Sequence, residues 1–179
     1  MRSFKFGPGL LTAVLAVFIV LVFNSALWGH LLRIIRPQGV TDWLLLASFF
    51  LFQSATYFFV LRIFSYPFVL KSVAAMLVVV AAATSYFMAE YGAVIDMNMV
   101  RNILQTDPAE ARDLTNWGTI VHVIGFGVVP ALAVILMPVA WPSWKPLLRA
   151  NLFGALAALA LVGANVAFFS GAYFSILRE

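Results

Sequence analysis

Residues 150–177, ANLFGALAALALVGANVAFFSGAYFSIL, run from Arg149 to Arg178 without a charged side chain, 28 positions in all. In a helix, about 20 apolar residues at 1.5 Å rise cross the ~30 Å hydrocarbon layer of a bilayer. A stretch this long and this apolar belongs in lipid, and it sets the scale for the rest of the chain. Charge-free runs of 27, 19, 18 and 31 residues precede it, bounded by Lys5 and Arg33, Asp42 and Arg62, Lys71 and Glu90, and Asp113 and Lys145. Each reaches or approaches the spanning length, which predicts an all-α membrane protein of five transmembrane helices, at about 9–32, 43–61, 72–89, 115–138 and 151–174. The first run is too long for the ~7–15-residue apolar stretch of a signal peptide and is read as a retained span.

Composition agrees. Apolar residues make up 64% of the 179 and charged residues 10%, with mean hydropathy +1.01. A soluble domain holds roughly 45–50% and ~25% respectively. The absence of cysteine excludes disulfides, thiolate metal sites and a cysteine nucleophile, and His30 and His122 have no ligand-spaced carboxylate near them. The net charge of +4 comes from basic residues scattered singly between apolar runs, so it reports membrane orientation rather than nucleic-acid binding. With the N-terminus inside, Arg2, Lys5, Arg62, Lys71, Lys145 and Arg149 face the cytoplasm and all seven acids lie on the other side. The positive-inside rule therefore predicts N-in and C-out. In the fourth run, Pro130 is expected to kink the helix, and Pro138, Trp141, Pro142 and Trp144 to form its interfacial end. Asn24, Gln53, Thr84, Ser85, His122 and Asn165 are the polar groups within spans, suited to hydrogen bonding between helices.

The polar exception is residues 90–114, between the third and fourth spans on the outer side. Glu90 to Asp113 holds seven of the eighteen charges. Met99, Val100, Ile103 and Leu104 recur at helical spacing, as in an amphipathic helix lying along an interface. Asp107, Pro108 and Glu110 match an N-cap, a first helical position and a capping-box acid. A second reading takes Asn102, Thr106 and Glu110, spaced by four, as an amide, a hydroxyl and a carboxylate aimed at one place. Glu110 then supplies charge to an ammonium group, and Asn102 and Thr106 supply neutral hydrogen bonds to phosphate or glycerol oxygens. Spacing alone leaves both readings open.

The stretch SYFMAEYGAVIDMNMVRNILQTDPAEARDL, residues 85–114, resembles the lipid A phosphoethanolamine transferases, the group that includes the mobile colistin-resistance enzymes. Val123 to Gly127 with Pro130, and Tyr173 to Arg178, fit the same pattern, so the resemblance covers the whole chain but only the N-terminal membrane part of the family's architecture. It implies transfer of phosphoethanolamine from phosphatidylethanolamine to a phosphate of lipid A at the periplasmic face of the bacterial inner membrane. The product binds cationic polymyxins less well. It also implies a ping-pong route through a threonine in a zinc-bearing periplasmic domain, which is expected to follow Glu179. The family's lipid-substrate residues correspond to Asn102, Thr106 and Glu110. On this reading residues 1–179 are the transmembrane domain, with residues 90–114 and the C-terminus periplasmic. The chain holds no catalytic residue or metal ligand and is inactive alone. A small transporter, or a scaffold or assembly protein, is the alternative.

Overall fold

In the computed structural model, residues 6–91 and 116–176 are described. They form helices α1 (Pro8–Phe23), α2 (Ser25–Ile35), α3 (Val40–Ile63), α4 (Val69–Tyr91), α5 (Trp117–His122), α6 (Val129–Leu136) and α7 (Trp144–Ile176), with a π-helical turn, Val123–Val128, joining α5 to α6. Four spans are continuous and apolar enough to cross a bilayer, and the bent pair α1–α2 makes a fifth if counted as one. This is a multi-pass membrane protein.

Local chemistry accounts for the breaks. The first span bends by 66° at Asn24. The Asn24 side-chain amide donates to the Ile19 carbonyl (3.3 Å) and Trp28 Nε1 donates to the Val20 carbonyl (3.1 Å). These bonds satisfy acceptors that the helix would otherwise use, so the break leaves few polar groups bare. Asn24 therefore serves its own helix rather than a neighbouring one. The expected kink at Pro130 takes the form of the π turn. Proline removes a donor and crowds the carbonyl four residues earlier, and the wider turn before it, closed by Val129 N–H on the Ile124 carbonyl, relieves that crowding. α6 stops at Met137, which is extended as the residue before Pro138 should be. α7 begins at Trp144, ahead of the expected span, and its 33 residues reach about 50 Å, longer than the hydrocarbon layer is thick.

The core is built from four-residue stripes. Leu11, Leu15, Ile19 and Phe23 of α1 meet Leu70, Ala74, Val78 and Ala82 of α4, and Leu61, Ala131 and Val134 close the cluster. A four-residue repeat is the ridge by which helices interdigitate, and the alanines of α4 let the backbones approach. Gly127 sits where a Cβ would lie 3.1 Å from the Ala82 Cβ and 3.4 Å from the Val79 Cα, so the π turn packs closely on α4 there. Outward faces remain apolar: Leu10, Leu21, Leu136, Phe153 and Phe168 are exposed, as lipid contact requires.

Contacts between helices define two ends of the bundle. At one end Phe6 pairs with Val139, Arg62 donates to the Ala150 carbonyl, Asn151 donates to the Ser65 carbonyl (2.6 Å), and Lys71 donates to the Ile135 carbonyl (2.7 Å). Tyr66 and Trp144 lie 6.1 Å apart there, in the aromatic belt expected around Trp144. Its charges among the described residues are Arg62, Lys71, Lys145 and Arg149, with no acid. The other end carries Arg33, Arg36, Asp42 and Glu90, and from it the chain leaves α4 and re-enters α5.

Candidate functional site

Residues 92–115 lie outside the described residues, and with them Asn102, Thr106, Glu110, Asp107 and the amphipathic stretch from Met99 to Leu104. The structure does describe the two helices that bracket them. Asn116 caps α5: its Oδ1 accepts from the Thr119 N–H (2.9 Å) and the Thr119 hydroxyl (3.3 Å). The same oxygen accepts from the Tyr86 hydroxyl of α4 (2.9 Å). One side-chain oxygen thus ties the start of α5 to the end of α4, across the base of the polar segment. A Cβ on Gly118 would stand 2.8 Å from the Tyr86 oxygen and 3.0 Å from Asn116 Oδ1, so the contact needs glycine at that position.

One turn deeper, Ser85 and His122 are in contact, Oγ to Nε2, at 3.2 Å. The serine proton is given to the Ala82 carbonyl (2.9 Å), so the histidine Nε2–H is the donor to Ser85. The imidazole stacks on Phe126 (4.8 Å between centroids) and lies 5.4 Å from the Tyr86 ring. Between α3 and α7, the Asn165 amide donates to the Ser48 carbonyl (3.1 Å), the Tyr173 hydroxyl donates to Asn165 Oδ1, and the Ser48 and Tyr173 hydroxyls are 2.9 Å apart. Phe49 and Phe52 pack on the Tyr173 ring at 4.3 and 6.2 Å.

The expectation that Ser85, His122 and Asn165 bond between helices holds. The partners Tyr86, Asn116 and Tyr173 were not anticipated. Asn116, directly before an apolar run, carries the signal of a helix cap; nothing in the sequence pairs it with a tyrosine thirty positions earlier. Among the described residues no group of three histidines or acids is placed to hold a metal ion.

The family profile described as phosphoethanolamine transferase EptA/EptB matches residues 53–179. The chain belongs to this family. Phosphatidylethanolamine transferase Mcr-1 of Escherichia coli is 36% identical over 172 residues, which is 96% of this chain and 32% of that protein. Phosphatidylethanolamine transferase Mcr-2 of Escherichia coli is 42% identical over 116 residues, 64% of this chain and 21% of that protein. The integral membrane lipooligosaccharide phosphoethanolamine transferase A (EptA) of Neisseria meningitidis superposes with a TM-score of 0.83 at 26% identity, over 97% of this chain and 32% of that one. The chain thus spans about a third of the length of the Mcr-1 and EptA relatives, and its helical bundle is the counterpart of an EptA-family membrane domain.

Proposed function

We propose that this chain is the membrane-anchoring and lipid-substrate-binding domain of a transferase that moves phosphoethanolamine from phosphatidylethanolamine to lipid A in the bacterial inner membrane. The observation that carries the reading is the similarity to Mcr-1 over 96% of the chain, which takes in the polar segment. The acid-free end with Arg62, Lys71, Lys145 and Arg149 faces the cytoplasm on this reading, and residues 90–114 and the C-terminus face the periplasm. Asn102, Thr106 and Glu110 hold the lipid headgroup, the carboxylate against the ammonium and the neutral groups against the phosphate and glycerol oxygens. The Tyr86–Asn116 bond and the Ser85–His122 pair keep the helices that carry this segment in register.

The nucleophilic threonine and the zinc belong to a separate periplasmic catalytic domain, which supplies the group-transfer chemistry. The membrane domain contributes confinement. Donor and acceptor are both lipids, so an anchored catalytic domain gains local concentration and orientation. Transfer makes lipid A less negative and so lowers its affinity for polymyxins.

The test is Glu110→Ala in the protein joined to its catalytic domain, read as lipid A modification by mass spectrometry and as polymyxin resistance. Loss of modification at unchanged expression is expected; unchanged modification sinks the role of Glu110. A companion measurement uses residues 1–179 alone with a labelled phosphoethanolamine donor, where transfer above background contradicts the placement of the nucleophile elsewhere.

A further inference from the structure

At the acid-free end of the bundle, Arg62 is only 5% exposed, and no carboxylate faces it among the described residues. An unpaired buried guanidinium is costly, and something must stabilise it. Its one hydrogen bond goes to the Ala150 carbonyl, its Cζ lies 5.7 Å from the centre of the Phe58 ring, and its Nε has no partner. Five N–H donors on a fixed planar fork make this group best suited to phosphate or carboxylate.

The surroundings continue into an apolar groove of about 340 Å³ between α1, α3 and α7. Its walls are three helical stripes, and the next turn of each helix beyond the groove brings a residue to the guanidinium. On α3 the stripe is Leu51, Ser54, Ala55 and Phe58, then Arg62 itself. On α1 it is Val17, Ala16 and Ala13, then Gly9, where a Cβ would lie 3.4 Å from Arg62 Nη1. On α7 it is Leu161, Ala158 and Ala157, then Gly154, where a Cβ would lie 2.6 Å from Arg62 Nε. Two glycines thus make room for the charge at the end of a groove lined mainly by alanine. Ser54 Oγ, on the wall, is also buried without a partner. The first turn of α1 stands at the same place, with Pro8 at its start and no side-chain cap from Gly7, so its free N–H groups add partial positive charge.

We propose that this groove holds one acyl chain of an anionic glycerophospholipid whose phosphate is met by Arg62 and the start of α1. From Leu51 to Arg62 the site runs about 16 Å at 1.5 Å per residue. That is half of a ~30 Å hydrocarbon layer, the depth of a single leaflet. An acyl chain explains the apolar walls, the phosphate explains the unpaired guanidinium, and Lys71, Lys145 and Arg149 at the same end favour a headgroup with net negative charge. The inference does not depend on the transfer reaction, since the site is at the opposite end of the bundle from the Tyr86–Asn116 bond.

The test is native mass spectrometry of the purified protein in detergent micelles, titrated separately with phosphatidylglycerol, phosphatidylcholine and inorganic phosphate. One phosphatidylglycerol is expected to bind at least tenfold more tightly than phosphatidylcholine. Ala157→Leu, which fills the groove without touching Arg62, and Arg62→Met should each remove that preference, while Leu159→Ala on the lipid-facing side should leave it intact. Equal retention of the two lipids by the wild type overturns the proposal, as does undiminished preference in Ala157→Leu, which carries the test if Arg62→Met does not fold. Full displacement of phosphatidylglycerol by millimolar inorganic phosphate would also overturn it, because the site would then take the free anion rather than a lipid.

Discussion

The bond between Tyr86 and Asn116 is the most exposed to test of the contacts that frame the polar segment. Asn116→Ala removes the acceptor for the Thr119 N–H and for the Tyr86 hydroxyl together. Loss of an N-cap costs about 1 kcal/mol and loss of a partly solvated hydrogen bond about 0.5–1 kcal/mol, so about 1.5–2 kcal/mol is expected. For a chain of this size that corresponds to a fall of about 3–8 °C in Tm. Tyr86→Phe removes only the hydroxyl bond and should cost about 0.5–1 kcal/mol. The two changes act on one contact, so the double variant Tyr86→Phe/Asn116→Ala should be no less stable than Asn116→Ala alone, a coupling of about 0.5–1 kcal/mol. Gly118→Ala gives an independent check, because its Cβ would stand 2.8 Å from the Tyr86 oxygen and must push it away. The assay is thermal unfolding of the purified variants in detergent micelles. Additive losses in the double variant would refute the reasoning, since the hydroxyl and the amide would then be acting separately.

Further expectations concern the helix packing. Gly154→Ala should destabilise the protein, because the added Cβ would lie 2.6 Å from Arg62 Nε and 3.1 Å from Nη2, so the buried guanidinium would have to shift from its bond to the Ala150 carbonyl. Gly163→Ala on the same helix meets nothing within 4 Å and should stabilise by up to about 1 kcal/mol, so thermal melts of the two variants should move in opposite directions. Tyr173→Phe leaves Asn165 Oδ1 without its donor and should cost about 1–3 kcal/mol, measured the same way. Pairing that change with Asn165→Leu should recover part of the loss, since the stranded carbonyl oxygen is then gone.

How much of this was legible in the sequence depends on the range of the interaction. The spans follow from composition over twenty residues at a time: α3, α4 and the helices of the fourth run lie within three residues of the expected bounds, whereas α7 begins at Trp144, seven residues ahead of the expected 151. The break at Asn24 was not legible. An asparagine in an apolar run is equally compatible with bonding a neighbour, and only the backbone shows its amide turning back to Ile19. Pro130 announced a distortion, but not that the helix would meet it by widening the preceding turn. Arg62 is the clearest failure of local reading. In sequence it is an ordinary flanking charge at the end of a span, to be left in the headgroup region. Its burial is decided by Gly9 and Gly154, which come opposite it only when α1, α3 and α7 assemble. For the candidate site, type and spacing left Asn102, Thr106 and Glu110 open between helix caps and a headgroup site, and only the family resemblance favoured the second; the contacts that join α4 to α5 link residues too far apart for any periodicity to reveal.

The two ends of the bundle are held by different chemistry, and the difference bears on what each can do. At the segment end the contacts are paired polar groups: Tyr86 with Asn116, His122 with Ser85, and Tyr173 with Asn165. Hydrogen bonds of this kind fix helix register, and the charges of the described residues at that end, Arg33, Arg36, Asp42 and Glu90, stand outside these contacts. At the basic end the charge sits within the frame, on Arg62, and its Nε is unpaired. An enzyme that works on lipids needs its depth in the membrane fixed, and a guanidinium that cannot leave the headgroup plane without losing its anion serves that purpose. If so, loss of the Arg62 anion should alter the activity of the complete enzyme through the height of the segment end rather than through its shape. Arg62→Met joined to the catalytic domain should then keep activity in micelles, where depth is not imposed, and lose it in bilayers. Equal loss in both settings would mean that Arg62 matters only for folding.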